Sequence, residues 1–175
     1  MNTSKQSMIR FSIILLMMLL AAFTRLIPHP MNFTAVLAIA LFGGAKFRSS
    51  SLAIVLPLVV MLITDFFIGF YSLMPVVYSC IAITAIVGKY VGRTNRPAYI
   101  VIASIVCSLF FFLVTNAAVW YNNPMYATNL SGLMKCYDIA IPFFRNQIFG
   151  DLFFNFMLFG SYKLVKTKIP ALAYA

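Results

Sequence analysis

Six stretches of the chain are apolar enough, and polar-free enough, to read as membrane helices: roughly 8–24, 33–45, 52–70, 76–92, 98–120 and 139–164. The second is short for a span at about 1.5 Å of rise per residue. Breaker-rich joints separate them, namely "RLIPHPMN", "KFRSSS", "YSLMP", "GRTNRP" and "YNNPMYATNLSGLMKCYD". The pattern predicts an all-α integral membrane protein, one transmembrane domain over residues 1–175, with no soluble domain or repeat. The first run could also be a signal peptide. No small-x-small cleavage site follows it before Arg25, which favours an uncleaved helix.

Composition agrees with the pattern. Apolar residues make up 63% of the 175, charged residues only 9%, and there is no glutamate among the three acids Asp65, Asp138 and Asp151. Thirteen Lys and Arg give a net charge of +10, which in a soluble chain would suggest nucleic acid. Here the placement of the cations excludes that reading. Lys5, Arg10, Lys46, Arg48, Lys89, Arg93, Arg96, Lys163, Lys166 and Lys168 fall at one set of helix ends, against Arg25, Lys135 and Arg145 at the other. The excess of cations on the cytoplasmic side of membrane proteins places both termini in the cytoplasm and leaves the lipid bilayer as the main partner of these charges.

That orientation gathers the unusual polar residues at the outward end. Asp65 falls in the outer third of the third run, Tyr78 and Cys80 near the outer end of the fourth, Asn116 and Trp120 at the close of the fifth, and Arg145 a turn or two into the sixth. His29 sits between two prolines in "IPHP", where the backbone must be extended, and such backbone at membrane depth needs protein or a wet cavity around it. Ionisable residues inside a span face a cavity or each other. Asp65 and Arg145 are therefore expected to form an ion pair locking the third and sixth helices, or to bind a ligand, or both.

Asp151 is read separately. Six residues beyond Arg145 it lies about 120° round the helix, one turn from Asn155, with Gly150 offering close approach. It is expected to brace the bundle with Asn155, or else to form the floor of the cavity or a gating element. Pro142 reads as an ordinary first-turn proline of the sixth helix. Trp120, Tyr121 and Tyr126 suit an interfacial belt or a stacking wall. Cys107 reads as packing; Cys80 is a small packing residue, a soft metal ligand, or the partner of Cys136 in a disulfide. Signatures of metalloproteases, serine hydrolases and nucleotide-binding loops are absent from the sequence, and with so few acids general acid–base catalysis has few candidates.

The stretches "RLIPHPMNFTAVLAIALFGGAKF", "LPLVVMLITDFFIGFY", "MPVVYSC", "FFLVTNAAVW" and "GLMKCYDIAIPFFRNQIFGDLFFNFMLFG" resemble small six-helix proteins related to the S-components of energy-coupling-factor vitamin transporters, over residues 20–162. Within that group the chain looks closest to the solitary BtuM family. The resemblance implies an S-component-like bundle of six transmembrane helices in a bacterial inner membrane, taking up a vitamin from the periplasm. It implies cobalamin as the transported ligand, with no intrinsic cofactor, and His29, Asp65, Tyr78, Cys80 and Arg145 as binding positions. By the same resemblance Cys80 is the axial cobalt ligand and the residue that removes cyanide from cyanocobalamin. Asn116, Asn122, Asp65 and Arg145 could hydrogen-bond corrin amides, and Trp and Tyr faces such as Trp120 could cover the ring. "IRFSIILLMMLLAAFT" lacks the AxxxA by which such components dock on an energising module, so a solitary protein is favoured over a module partner. Other vitamins or cofactor precursors, and a structural membrane protein without a ligand, are the alternatives.

Overall fold

The computed structural model describes residues 3–94 and 96–169; the few residues beyond them, at both ends of the expected 1–175 domain and at position 95, lie outside that description. It is all helical among the described residues: α1 Thr3–Phe23, a short 3-10 turn Thr24–Leu26, α2 Val36–Lys46, α3 Ser50–Ile68, α4 Met74–Val91, α5 Pro97–Asn122 and α6 Leu130–Lys168. All but α2 are long and apolar enough to cross a membrane. Their outer faces carry large apolar side chains in the open, such as Phe66 at 72% and Phe156 at 76% exposure. In water that surface would be an aggregation site; against lipid it is solvated. The whole suits a multi-pass membrane protein.

The second apolar run departs from a simple span. At 11 residues, α2 is about 16 Å long, half of a hydrocarbon core. Its residues Leu37 to Gly44 are all buried, and it touches every other helix. A helix apolar on all sides belongs in the middle of a bundle. The non-helical residues 27–35 link the end of the 3-10 turn to the start of α2.

Glycines set the tightest contact. A Cβ on Gly44 would strike the Ala85 carbonyl, one on Gly88 the Leu41 carbonyl, and one on Gly92 the Ala45 carbonyl. The backbones of α2 and α4 are therefore in direct contact, as small residues spaced by four permit in membranes. On α2 Ala40 and Gly44 have this spacing, and on α4 Gly88 and Gly92 do. Gly150 of α6 likewise admits the backbone of Phe33 and Thr34, to which a Cβ would come within 3.0–3.1 Å. The close approach expected at Gly150 is made by the 27–35 segment, which Asn146 also holds through Nδ2 to the Met31 carbonyl at 3.0 Å.

Helix ends follow local signals. Ser49 Oγ accepts from Leu52 N at 3.4 Å to cap α3, and prolines open α4 and α5. Gly69, at φ 109°, closes α3 in a conformation that only glycine adopts without strain. The sixth helix corrects the expectation most: it starts at Leu130, not 139. Asn129 caps it, its Oδ1 accepting from Gly132 N at 2.9 Å, so Lys135, Cys136 and Asp138 are helical and Pro142 is interior. Asn129→Ala should cost about 1 kcal/mol. Amide exchange would show this as faster exchange over 131–135 alone, and unchanged exchange there would contradict the cap.

The ends sort as the charge count implied. Arg10 donates to the Lys46 carbonyl at 2.8 Å, Lys89 Nζ to the Arg48 carbonyl at 2.6 Å, and Lys46 Nζ lies 4.9 Å from the Tyr162 ring centroid. The start of α1, the ends of α2, α4 and α6, and the start of α5 thus share one end. Joints 27–35, 69–73 and 123–129 share the other.

Candidate functional site

Arg25 ends the apolar run of α1 and turns its guanidinium into the bundle. Nη2 lies 2.7 Å from Asp65 Oδ1, and Nη1 donates to Thr64 Oγ1 at 2.6 Å. Asp65 is fully buried, and its other oxygen accepts from Tyr78 Oη at 2.9 Å. A carboxylate in such a place survives only with a cation and donors around it. Tyr71, in the joint between α3 and α4, stands over this network; burial first and the Asp65 charge second push its phenol up to about 12, with Arg25 opposing. It stays a neutral donor at physiological pH.

The ion pair differs from the one expected. Arg145 is exposed on α6, and the cation that meets Asp65 is Arg25, from the 3-10 turn that follows α1. Arg25 was visible only as one of three outward cations. Nothing in its spacing linked it to Asp65, forty residues away.

Beneath joints 27–35 and 69–73 lies a cavity of about 250 Å³, with Arg25, Asn32, Tyr71, Gln147 and Asp151 among its walls. Asn32 sits at φ 61°, a left-handed conformation that asparagine tolerates, and this turns the 27–35 segment over the cavity. Asp151 is 2% exposed and forms the deep wall. Of its two expected roles, the structure shows a cavity wall and a brace at once. Ser108 Oγ on α5 lies 2.6 Å from Asp151 Oδ2, Gln147 Nε2 donates to the Ser108 carbonyl at 3.1 Å, and Asn155 Nδ2 donates to Ser104 Oγ at 3.0 Å. The braces run to α5, not between Asp151 and Asn155. Gln147, Asp151 and Asn155 recur every four residues on α6, as do Ser104 and Ser108 on α5; that repeat was the signal that could have found them.

The remaining expected positions disperse. Asp65 and Tyr78 do meet. His29 is exposed in its loop, with Nδ1 2.9 Å from the Pro30 carbonyl oxygen. Asn116 donates to Phe112 of its own helix at 2.8 Å, and Trp120 Nε1 to the Ala127 carbonyl at 2.9 Å, closing the loop between α5 and α6. Neither lines the cavity. Cys80 is buried at 1% exposure on α4, outside the cavity wall, and it, Cys107 and Cys136 are free thiols, so the disulfide between Cys80 and Cys136 is not formed. Cys136 Sγ instead meets the Asn116 carbonyl at 3.5 Å. Among the described residues no three His, Cys, Asp or Glu gather as a metal site would need.

A family model described as a family of unknown function matches residues 5–172, almost the whole chain. No curated protein and no solved structure matches it.

Proposed function

The chain belongs to that family, DUF6580, and we propose that it is a multi-pass protein of a bacterial inner membrane that captures a small vitamin or cofactor precursor from the periplasmic side. The observation that carries this is the cavity under joints 27–35 and 69–73. In a bundle with three acids in all, it brings Arg25, Gln147 and Asp151 to one space. Such groups are costly at membrane depth, and a cavity that uses them is the usual reason for their presence. The cation-rich opposite end, with the start of α1 and the end of α6, faces the cytoplasm in this reading.

Cobalamin uptake is the specific form that the resemblance implies. A corrinoid is several times larger than 250 Å³, so this form needs residues 27–35 to lift and Cys80 to be uncovered before it can reach cobalt. A smaller solute fits the cavity as it stands and is the preferred reading. The test is equilibrium dialysis of the purified protein against a panel of vitamins and their precursors, cobalamin included. Binding of one member, lost at least tenfold in Gln147→Ala and retained in Arg145→Ala, is expected. Binding unaffected by Gln147→Ala, or no binding from the entire panel, would remove the proposal. A red preparation that takes up cobalamin, and loses its spectral shift in Cys80→Ala, would favour the corrinoid form.

A further inference from the structure

A second cavity, of about 430 Å³, lies at the other end of the bundle, with Lys46, Arg96, Lys163, Lys166, Asn155 and Phe159 among its walls. Asp151 belongs to the wall of the first cavity and Asn155 to the wall of the second. On α6 they are four residues apart, about 6 Å along the axis and about 40° in rotation. One turn of α6 thus separates a wall residue of one space from a wall residue of the other.

That partition is polar. Ser108 with Asp151 and Ser104 with Asn155 form two hydrogen-bonded layers, and Asn155 Oδ1 is buried with no hydrogen-bond partner. So is Thr84 Oγ1 on α4. A buried unsatisfied polar atom costs about 1–3 kcal/mol, and an apolar seal would avoid that cost. Ser108 Oγ lies within bonding distance of both the Ser104 carbonyl, at 2.8 Å, and Asp151 Oδ2, so the two layers are linked through it. The second cavity has one sign of charge, four cations with no acid in its wall, whereas the first holds both Arg25 and Asp151. Converging cations concentrate anions.

We propose that the two cavities are halves of one path through the bundle, that the Ser104–Asn155 and Ser108–Asp151 layers are its gate, and that the solute is a small organic anion. This deepens the uptake reading and rests on it, but its test needs no transported ligand. In the full chain, with Cys80, Cys107 and Cys136 replaced by alanine, single cysteines are introduced as Gln147→Cys for the first cavity and as Asn155→Cys or Gly160→Cys for the second. Gly160 is the safer reporter, because a Cβ there meets nothing within 4 Å. Right-side-out and inverted membrane vesicles are then treated with the impermeant reagents methanethiosulfonate ethylsulfonate, an anion, and its ethyltrimethylammonium counterpart, a cation.

Gln147→Cys should react from one face only, and Asn155→Cys and Gly160→Cys from the other. The anionic reagent should be at least about tenfold faster at Gly160→Cys, after correction for its rate with a free thiol. Adding Ser104→Ala and Ser108→Ala should let Gly160→Cys, which leaves both layers intact, react from both faces. The path is wrong if Gly160→Cys is protected from both faces or shares a face with Gln147→Cys. The gate is wrong if the serine changes leave sidedness intact, and the anion assignment is wrong if the cationic reagent is as fast. Protection of Gly160→Cys in vesicles containing anionic phospholipid, but not in purely zwitterionic ones, would make the second cavity a headgroup site and overturn the path. Loss of vitamin binding with sidedness preserved would instead fault the uptake reading alone.

Discussion

Gly88→Leu is expected to prevent the bundle from assembling. The Cβ alone would overlap the Leu41 carbonyl, which belongs to backbone and not to a side chain that could turn aside. Overfilling a packed core costs about 1–3 kcal/mol when side chains can adjust, and more when helices must part. Here α4 would have to leave α2, which touches every other helix, so a loss of about 3 kcal/mol or more follows. Extraction in mild detergent should yield aggregated protein in place of a monodisperse peak. Gly160→Ala, with open space around its Cβ, should behave as the parent. A Gly88→Leu protein with an unchanged melting temperature would mean that α2 and α4 do not cross as described.

Breaking the Arg25–Asp65 pair should be nearly as damaging. Arg25→Ala leaves the Asp65 carboxylate at 0% exposure with only Tyr78 to donate to it. Removing one member of a buried pair costs about 3–5 kcal/mol, mostly because the other charge is stranded. Arg25→Met combined with Asp65→Leu should recover most of that loss, since neither charge then remains. Arg145→Ala, by contrast, should fall within about 0.5 kcal/mol of the parent, because the side chain is exposed and makes no ion pair in the described structure. Thermal unfolding of the four proteins in one detergent decides the matter. Should Arg145→Ala prove as destabilising as Arg25→Ala, the pairing of α1 with α3 would be the wrong one.

The two results bear on how far a one-dimensional reading reaches. Asp65 and Tyr78 were singled out because each stands alone in an apolar run near the outward end, and they do bond to each other. Asp151 was separated from Arg145 by counting 100° per residue, and the two indeed occupy different faces, one buried and one exposed. The same counting could not supply partners on other helices. Arg25 answers Asp65 because α1 packs beside α3, and Ser108 answers Asp151 because α5 packs beside α6. Asn116 and Trp120 looked equally available for a ligand, yet their hydrogen-bonding groups are taken up by Phe112 and Ala127. The start of α6 was missed because "NLSGLMKCYD" is too polar to read as a span, although Asn129 caps it as a helix in the ordinary way.

What the sequence by itself determined is whatever depends on a residue and its near neighbours: the apolar runs, the breakers between them, the sorting of ten cations to one end, and the few polar residues that lipid would not tolerate. Those properties are set by transfer free energy and by the helical repeat, which act along the chain. The tertiary structure alone decided that α2 is a buried central strut, that Arg25 is the cation for Asp65, and that Asp151 and Asn155 face two different cavities across one helical turn. Each of these turns on which helices are neighbours, and neighbours are chosen by backbone contact at Gly44, Gly88 and Gly92, where the absence of a side chain leaves no pattern of polarity to read.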